Sequence, residues 1–474
     1  MSREKKNNIT INGLFFVAYK VLNVLFPLVT SVYVARVLLP SGTGRVAYAQ
    51  NIVTYFTLLA ALGLPTYGTR EIARTLGDDE EYNKTFFELF SVNAISTTLC
   101  VIVYYTLCFT VPTFRKDLDL YLVAGLAIVL NYINIDWLYQ GREEYKYIAI
   151  RGVLVKATSV ALLFILVKNP SDYVAYAGIY CLVLGGNNFA NSIGLRHRIK
   201  FRKYHLNLKK HMKPIIILFA TTIAIELYTM LDTTMLGVLS TNEIVGYYSY
   251  AMKTSKIIIT VLAAATTVLL PRLSNYYKTS KNKYEELANK GVSFLFAVSI
   301  PITIFLLFNA NDVVLFLYGE HYFGAINTLK ILSLLIVPIA FSTYFGVQIL
   351  CSANMEKYML ISVCIGACTN IFMNAMLIPK YYQNGAAIAS VASEFIVMMC
   401  DAFFVRRVIK ICITKKIIVT TLCTSFITAI ASVALHGLLN SMFLQLFFAG
   451  IIMVLLLVIT LSKSLLTLRR RSEQ

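Results

Sequence analysis

Charge is scarce in this chain. Asp, Glu, Lys and Arg make up 14% of its 474 residues and apolar types 58%, whereas soluble domains run at about 25% charged and 45–50% apolar. A soluble globular protein is excluded. Acids are the scarcer sign, 24 against 43 Lys and Arg, for a net charge of +19. Also missing are a GxxxxGK[ST] phosphate loop, HExxH, a paired CxxC and GxSxG, so the chain carries no recognisable nucleotide, metal or nucleophile motif. That argues against an ATP-driven pump and against an enzyme, and no cofactor or metal is implied. The nine cysteines are odd in number and sit in or beside apolar runs. They read as small buried apolar residues, not as a disulfide framework. Cys364 and Cys368 share a helix face, but no histidine lies nearby to complete a metal set.

What is present is a succession of apolar runs of the length a hydrocarbon core requires, roughly 20 residues. They fall at 10–38, 44–66, 85–110, 118–139, 147–168, 172–195, 214–239, 243–270, 288–309, 323–350, 357–379, 383–405, 415–436 and 443–466. The expected fold is an all-α polytopic membrane protein with 14 transmembrane helices. An even number puts both termini on one side, and most of the basic residues border the segments on that side. The positive-inside rule makes it the cytoplasm, so the expected location is the cytoplasmic membrane. Nucleic acid is not an expected partner, because no folded basic domain surrounds the densest run, RHRIKFRKYHLNLKKHMKP (196–214). That run reads as an amphipathic helix at the anionic leaflet, linking two halves. The basic N-terminus precedes a run too long for a signal peptide and reads as a retained first helix. Asp136 and Trp137 are expected at the membrane interface, Lys156 is expected to snorkel inward, and the acidic run Asp78–Glu81 to be a solvated loop tip.

The chain also repeats itself. Residues 31–58 echo the stretch beginning at Asp232: Val37-Leu38 falls on Val238-Leu239, and Gly44, Tyr48 and Ala49 fall on Gly246, Tyr250 and Ala251. Such an internal repeat marks a two-lobed transporter. The expected domains are a six-helix lobe at 1–195, a linker at 196–213, a second six-helix lobe at 214–407, and two further helices with a basic tail at 408–474. Polar stripes run along particular helices at steps of three and four. The first run carries Lys20, Asn23, Pro27, Thr30 and Ser31, with a kink expected at Pro27. The seventh carries Thr222, Glu226, Thr229 and Thr233, with Asp232 beside them. The eighth carries Gly246, Tyr250, Lys253, Lys256 and Thr260, and Asn51 and Thr54 match its two lysines in the first repeat. In the twelfth, Ser390, Glu394 and Asp401 share a face. Ionisable residues at such depth are functional candidates. Buried ion pairs that hold the halves together are the competing reading.

The run DTTMLGVLSTNEIVGYYSYAMKTSKI with VLLPRLS, the segments RVLLPSGTGRVAYAQNI and ALGLPTYGTREIAR, and the turns LYGEHYFGA and YYQNGAAIASVASE resemble Wzx-type polysaccharide flippases of the MOP superfamily. One departure is Leu38-Leu39-Pro40, where the family pattern usually reads L-G-P. The resemblance implies two pseudo-symmetric six-helix lobes facing a central cavity, plus two C-terminal helices. The implied activity is translocation of undecaprenyl-diphosphate-linked oligosaccharide by alternating access, for O-antigen, capsule or other surface polymer. A polysaccharide polymerase and glycosyltransferases are implied as partners. Lys20, Lys253 and Lys256 would attract the diphosphate, with Arg36 and Arg45 at the outer mouth and Asn23, Asn51 and Tyr250 toward sugar. Glu226, Asp232, Glu394 and Asp401 would balance charge or couple to an ion. The alternative is a multidrug antiporter of the same superfamily, which would favour acidic, aromatic walls.

Overall fold

The structure, a computed structural model, describes the backbone of residues 3–472 and the side chains of 26–220, 223, 226 and 229–460. Two compact units divide the chain, Met1–Met230 and Leu231–Gln474. The first holds α1 (Arg3–Ala61), α2 (Leu64–Thr75), α3 (Asp79–Thr110), α4 (Pro112–Lys116), α5 (Leu118–Val129), α6 (Asp136–Gly141), α7 (Tyr145–Leu166) and α8 (Tyr173–Ile193). A 3₁₀ turn, Leu130–Ile133, separates α5 from α6. The helix α9 (Lys209–Leu239) begins in the first unit and ends in the second. The second unit continues with α10 (Asn242–Thr267), α11 (Leu270–Thr279), α12 (Lys281–Phe308), α13 (Ala310–Tyr318), α14 (Ala325–Ser333) and α15 (Ile336–Thr343). A π-helical stretch, Tyr344–Leu350, leads to α16 (Glu356–Val405), α17 (Lys415–Leu438) and α18 (Met442–Ser472).

Among the described residues there is no strand, and the fourteen apolar runs are largely helical, the run 118–139 being interrupted at 130–135 between α5 and α6. Two runs share α1, divided at Leu39 (φ 58°, ψ 172°), and two share α16, divided at Tyr382 (φ 50°, ψ −129°). The break in α1 is therefore at Leu39, while Pro27 sits in continuous helix. Among the described residues, eight helical stretches qualify as membrane spans by length and apolarity, or nine if the bent pair α14 and α15 with its π-helix counts as one. This measure does not reach fourteen crossings.

The surface chemistry is that of a protein in lipid. On α17, Val419, Leu422, Phe426, Ile430 and Val433 are each more than half exposed, while Thr421, Thr424, Ser425, Thr428 and Ser432 are buried. Four of these five hydroxyls, all but Thr421, find partners inside: for example, Thr424 meets Thr460 at 2.8 Å, and Asn309 donates to Ser432 at 2.8 Å. Water would reverse this arrangement; hydrocarbon, which leaves every polar group to be satisfied internally, selects it.

Local signals place the ends of the helices. Asp78 caps α3, its carboxylate accepting from the Glu80 and Glu81 amides at 2.9 and 3.1 Å. Asp79, Glu80 and Glu81 occupy the first turn, where the helix dipole favours anions. The acidic run is thus a helix start and not a bare loop tip. Proline at the first turn opens α2, α4 and α11. In the first unit a core of Leu64, Tyr67, Phe86, Leu89, Trp137 and Tyr139 binds α2, α3 and α6. Trp137 is only 2% exposed, so it is not the interfacial anchor that its position in the sequence suggested. Its ring lies against Gly68, where a Cβ would come within 2.9 Å of it.

The basic linker also departs from expectation. Between the short 3₁₀ turn Leu195–His197 and the start of α9 the chain forms no helix. Its backbone amides are taken by side chains of α3 instead. Lys200 N donates to Asn83 Oδ1 at 2.6 Å, and Asn207 N to Glu88 Oε1 at 2.8 Å. A buried chain from Tyr67 through His211 to Glu88, 2.8 Å at each step, fixes its far end. The linker thus belongs to the first unit. The cysteines are more exposed than expected: Cys108 and Cys181 are buried, but Cys364, Cys368, Cys412 and Cys423 are exposed, as apolar side chains in lipid can be.

Candidate substrate and coupling sites

In the second unit α10 opens on a Thr241 cap that accepts from the Ile244 amide at 3.4 Å. Its first turns are packed on most sides, with Val245, Gly246, Tyr248, Tyr250 and Ala251 buried. Farther along, one face carries Lys253, Lys256, Thr260, Ala264 and Thr267, half-buried at Lys253 and exposed from Lys256 onward. A neighbouring face presents Val261, Ala265 and Val268. The polar stripe is therefore separate from the apolar exposed one, as a helix bordering both water and lipid requires. Lys253 Nζ lies 5.4 Å from the centre of the Tyr250 ring. Among the described residues no carboxylate stands within ion-pair distance of it. Tyr250 itself is 5% exposed and packs edge-on to Tyr318 at 5.0 Å and against Tyr322 at 5.2 Å. It presents its ring to the lysine from inside an aromatic cluster.

Asp232, 6% exposed, is surrounded by neutral donors. Oδ2 accepts from Tyr248 Oη and Ser390 Oγ, both at 2.5 Å. Oδ1 accepts from Asn370 Nδ2 at 2.9 Å and Asn374 Nδ2 at 2.6 Å. Four elements of sequence, from α9, α10 and both halves of α16, thus converge on one carboxylate. No described cation pairs with it, and the buried Asn374 Oδ1 beside it lacks a hydrogen-bond partner. The other two acids lie elsewhere in this unit. Glu394 accepts from Ser342 at 3.3 Å. Asp401, 1% exposed, faces the π-helix at Gly346 and has an unpartnered Oδ1.

In the first unit Arg45 is held by Asp117 at 3.0 Å and Tyr173 Oη at 3.1 Å, with its guanidinium over the Tyr173 ring. Arg36 is exposed. Asn51 donates to the Met230 carbonyl at 3.3 Å, Lys156 lies over the Phe26 ring at 5.7 Å, and Glu226 is half-buried. Lys20 and Asn23 lie outside the residues whose side chains are described, as does Thr222.

Sequence reasoning missed one feature. A cavity of about 290 Å³ opens between α1, the 3₁₀ turn after α5, and α8, and asparagines line it: Asn131, Asn134, Asn187 and Asn188. Its signal was legible as the clusters NYIN and NNFAN inside apolar runs, where amides are unfavourable without partners. Behind it Arg151, 6% exposed on α7, pairs with Asp136 at 3.0 Å. Asp136 thus belongs to a polar network at the cavity wall.

Polar stripes and an isolated buried carboxylate inside lipid-facing helices define a multi-pass membrane transporter. Similarity to known proteins narrows that class. The sequence model described as polysaccharide biosynthesis protein matches residues 9–277, and the MatE model matches 217–376. The chain belongs to the polysaccharide biosynthesis protein family. It is 25% identical over 402 residues to the putative O-antigen transporter of Escherichia coli K12, covering 84% of this chain and 96% of that one. It is 24% identical over 410 residues to the capsular polysaccharide biosynthesis protein CapF of Staphylococcus aureus, covering 83% and 98%. The fold matches lipid II flippase MurJ in an inward closed conformation, with TM-score 0.77 at 16% identity over 95% of this chain and 98% of that one. The chain is a Wzx-type flippase of the MOP superfamily, a transporter of polysaccharide synthesis and not an enzyme.

Proposed function

We propose that the cargo is an undecaprenyl-diphosphate-linked oligosaccharide, moved across the cytoplasmic membrane by alternating access with both termini in the cytoplasm. The observation that carries this reading is Lys253. It is an ammonium deep in an apolar helix, on a polar stripe, with an aromatic ring and no described carboxylate for company. A cation left uncompensated at that depth is unfavourable by about 2.5–3.5 kcal/mol on insertion scales. A diphosphate arriving beside it relieves that penalty, and low-dielectric walls strengthen the attraction. Lys256 lies on the same face of α10, and Lys20, Arg36 and Arg45 are the further cations assigned to the diphosphate. Asn23, Asn51 and Tyr250 are the residues assigned to the sugar.

Return of the empty carrier needs a driving ion, and Asp232 is the carboxylate best arranged to meet it. Its neighbours are neutral and an orphan amide oxygen adjoins it, so the donor set is oxygen-rich and suits a hard cation. Glu226, Glu394 and Asp401 complete the set of coupling or charge-balancing acids. A polymerase and glycosyltransferases act before and after this step. The MatE match leaves a multidrug antiporter as the alternative, but a lysine face disfavours cationic drugs.

The test is a leaflet assay in proteoliposomes, with a deletion host in parallel. Lys253→Ala is expected to abolish surface polysaccharide while the protein inserts at the normal level. Normal polymer at normal protein level would remove Lys253 from the site, and undiminished cargo flipping without the protein would end the flippase reading.

A further inference from the structure

We propose that the asparagine-lined cavity of the first unit is a sugar subsite that takes one neutral, hydroxyl-rich pyranose ring of the cargo. This inference rests on the flippase reading above and assigns one part of the glycan to a place in the fold.

Many polar atoms of the cavity wall are already engaged. Asn131 gives its amide hydrogens to Asn93 Oδ1 at 3.0 Å and Thr97 Oγ1 at 2.8 Å, and Asn188 Nδ2 donates to the Leu130 carbonyl at 3.1 Å. These bonds hold the 3₁₀ turn against α3 and α8. Asn134 Nδ2 donates to Asn131 Oδ1 at 3.1 Å, and Asn187 Nδ2 to the Val183 carbonyl at 2.8 Å. Thr54 and Thr57, which line the same cavity, donate to backbone carbonyls of their own helix, Gln50 and Thr54, at 2.7 and 2.9 Å. Asn134, Asn187 and Asn188 each keep a second amide N–H beyond these bonds.

Acceptors remain as well. A hydroxyl that donates to its own helix still offers lone pairs, and both threonines do so. Asp136 supplies the strongest acceptor. Its Oδ1 takes Asn191 Nδ2 at 2.5 Å and Arg151 at 3.0 Å. Its side chain is nevertheless 36% exposed, against 6% for Arg151. One face of the carboxylate therefore opens into the cavity while the arginine stays behind it.

Chemistry and size then select the occupant. The Asp136 carboxylate repels phosphate and carboxylate oxygens, while the hydroxyls and spare amide hydrogens around it suit a neutral ring whose O–H and N–H groups both donate and accept. The Arg151–Asp136 pair leaves the cavity with no net charge, so nothing there demands a charged ligand. No aromatic ring lines it among the described residues, so recognition falls on hydrogen bonds. Those discriminate strongly, because a missing hydroxyl leaves a buried partner unpaired. The volume of about 290 Å³ sits at the low end of the roughly 300–1,000 Å³ that ligand clefts span. It has room for a single ring and not for a whole repeat unit.

The experiment measures binding of three probes to the purified full-length protein in nanodiscs: polyprenyl diphosphate bearing no sugar, one N-acetylhexosamine, or one hexuronic acid. The N-acetylhexosamine probe is expected to bind at least tenfold more tightly than the bare lipid, and the hexuronic acid probe no more tightly than the bare lipid. Thr57→Val, which keeps shape and removes only the hydroxyl, should reduce the N-acetylhexosamine advantage at least threefold. Thr54→Val with Thr57→Val should nearly erase it. Both should leave bare-lipid affinity and the thermal midpoint as in wild type. Bare and N-acetylhexosamine probes binding within twofold of one another would overturn the subsite and leave the diphosphate reading standing. An undiminished advantage in the double variant, or tighter binding of the hexuronic acid, would overturn the subsite in the same way. Failure of all three probes to bind would instead overturn the flippase cargo proposed above.

Discussion

Replacing Asp232 separates its charge from its place in the packing. In Asp232→Ala the four donors around the carboxylate lose their common acceptor. Three keep a partner nearby: Ser390 Oγ can donate to the Ala386 carbonyl at 2.9 Å, Tyr248 Oη to Ser390 Oγ at 3.0 Å, and Asn374 Nδ2 to Asn370 Oδ1 at 2.9 Å. That leaves one donor without a partner, Asn370 Nδ2. A buried orphan is unfavourable by about 1–3 kcal/mol, so the loss should be about 1–3 kcal/mol. Asp232→Asn retains an oxygen for the asparagine amides, and the two hydroxyls can rotate to accept from the new amide. It should lose under about 1.5 kcal/mol, the net worth of one ordinary hydrogen bond. Denaturant unfolding of the purified protein in detergent reads the first effect, and ion-driven flipping in proteoliposomes reads the second. The expected pattern is a folded, transport-dead Asn variant and a destabilised Ala variant. An Ala variant as stable as wild type would refute the network argument. An Asn variant flipping cargo at the wild-type rate, still dependent on the ion gradient, would refute the coupling role.

The other predictions concern the backbone and acid stability. Leu39 adopts a conformation that favours glycine (φ 58°, ψ 172°), so Leu39→Gly should raise the thermal midpoint through relief of about 1–3 kcal/mol of strain, less the entropy that glycine loses on folding. An unchanged or lower midpoint would show that the Leu39 side chain contributes more than its backbone strains. At Gly385 a Cβ would lie 2.4 Å from the Leu377 carbonyl oxygen, a backbone atom held within α16. Gly385→Ala should therefore destabilise by about 1–3 kcal/mol or more, whereas Gly437→Ala, with open space around it, should stay within about 1 kcal/mol of wild type; equal midpoints for the two variants would discount the clash. Burial tends to raise the Glu144 carboxyl pKa, but hydrogen bonds from Arg198 at 2.6 Å and Arg142 at 2.7 Å hold it below its ordinary value. Its stabilisation is complete above the ordinary carboxylate pKa and disappears as pH falls through the lower folded value. Glu144→Gln should flatten that acid limb in pH-dependent unfolding, and an unchanged limb would assign it to other carboxylates.

How much of this was legible beforehand follows from the range of each interaction. The apolar runs, the two-fold repeat and the lysine stripe of α10 are local. They need only the periodicity of a helix and the length of a hydrocarbon core, so the sequence by itself determined a helical membrane protein and the face that Lys253 occupies. The linker failed as an amphipathic helix because its amides bond to Asn83 and Glu88, more than 100 positions away, a competition no local pattern records. Trp137 looked interfacial by position, yet Gly68 lets the ring into the core.

Tertiary structure alone decided the two polar sites. Asp232 is separated by 16 to 158 positions from the four donors that surround it, and Arg151 reaches Asp136 and the asparagine cavity from another helix. Side-chain hydrogen bonds span only about 3 Å, so which amides meet which carboxylate is fixed by how helices pack and not by their spacing along the chain.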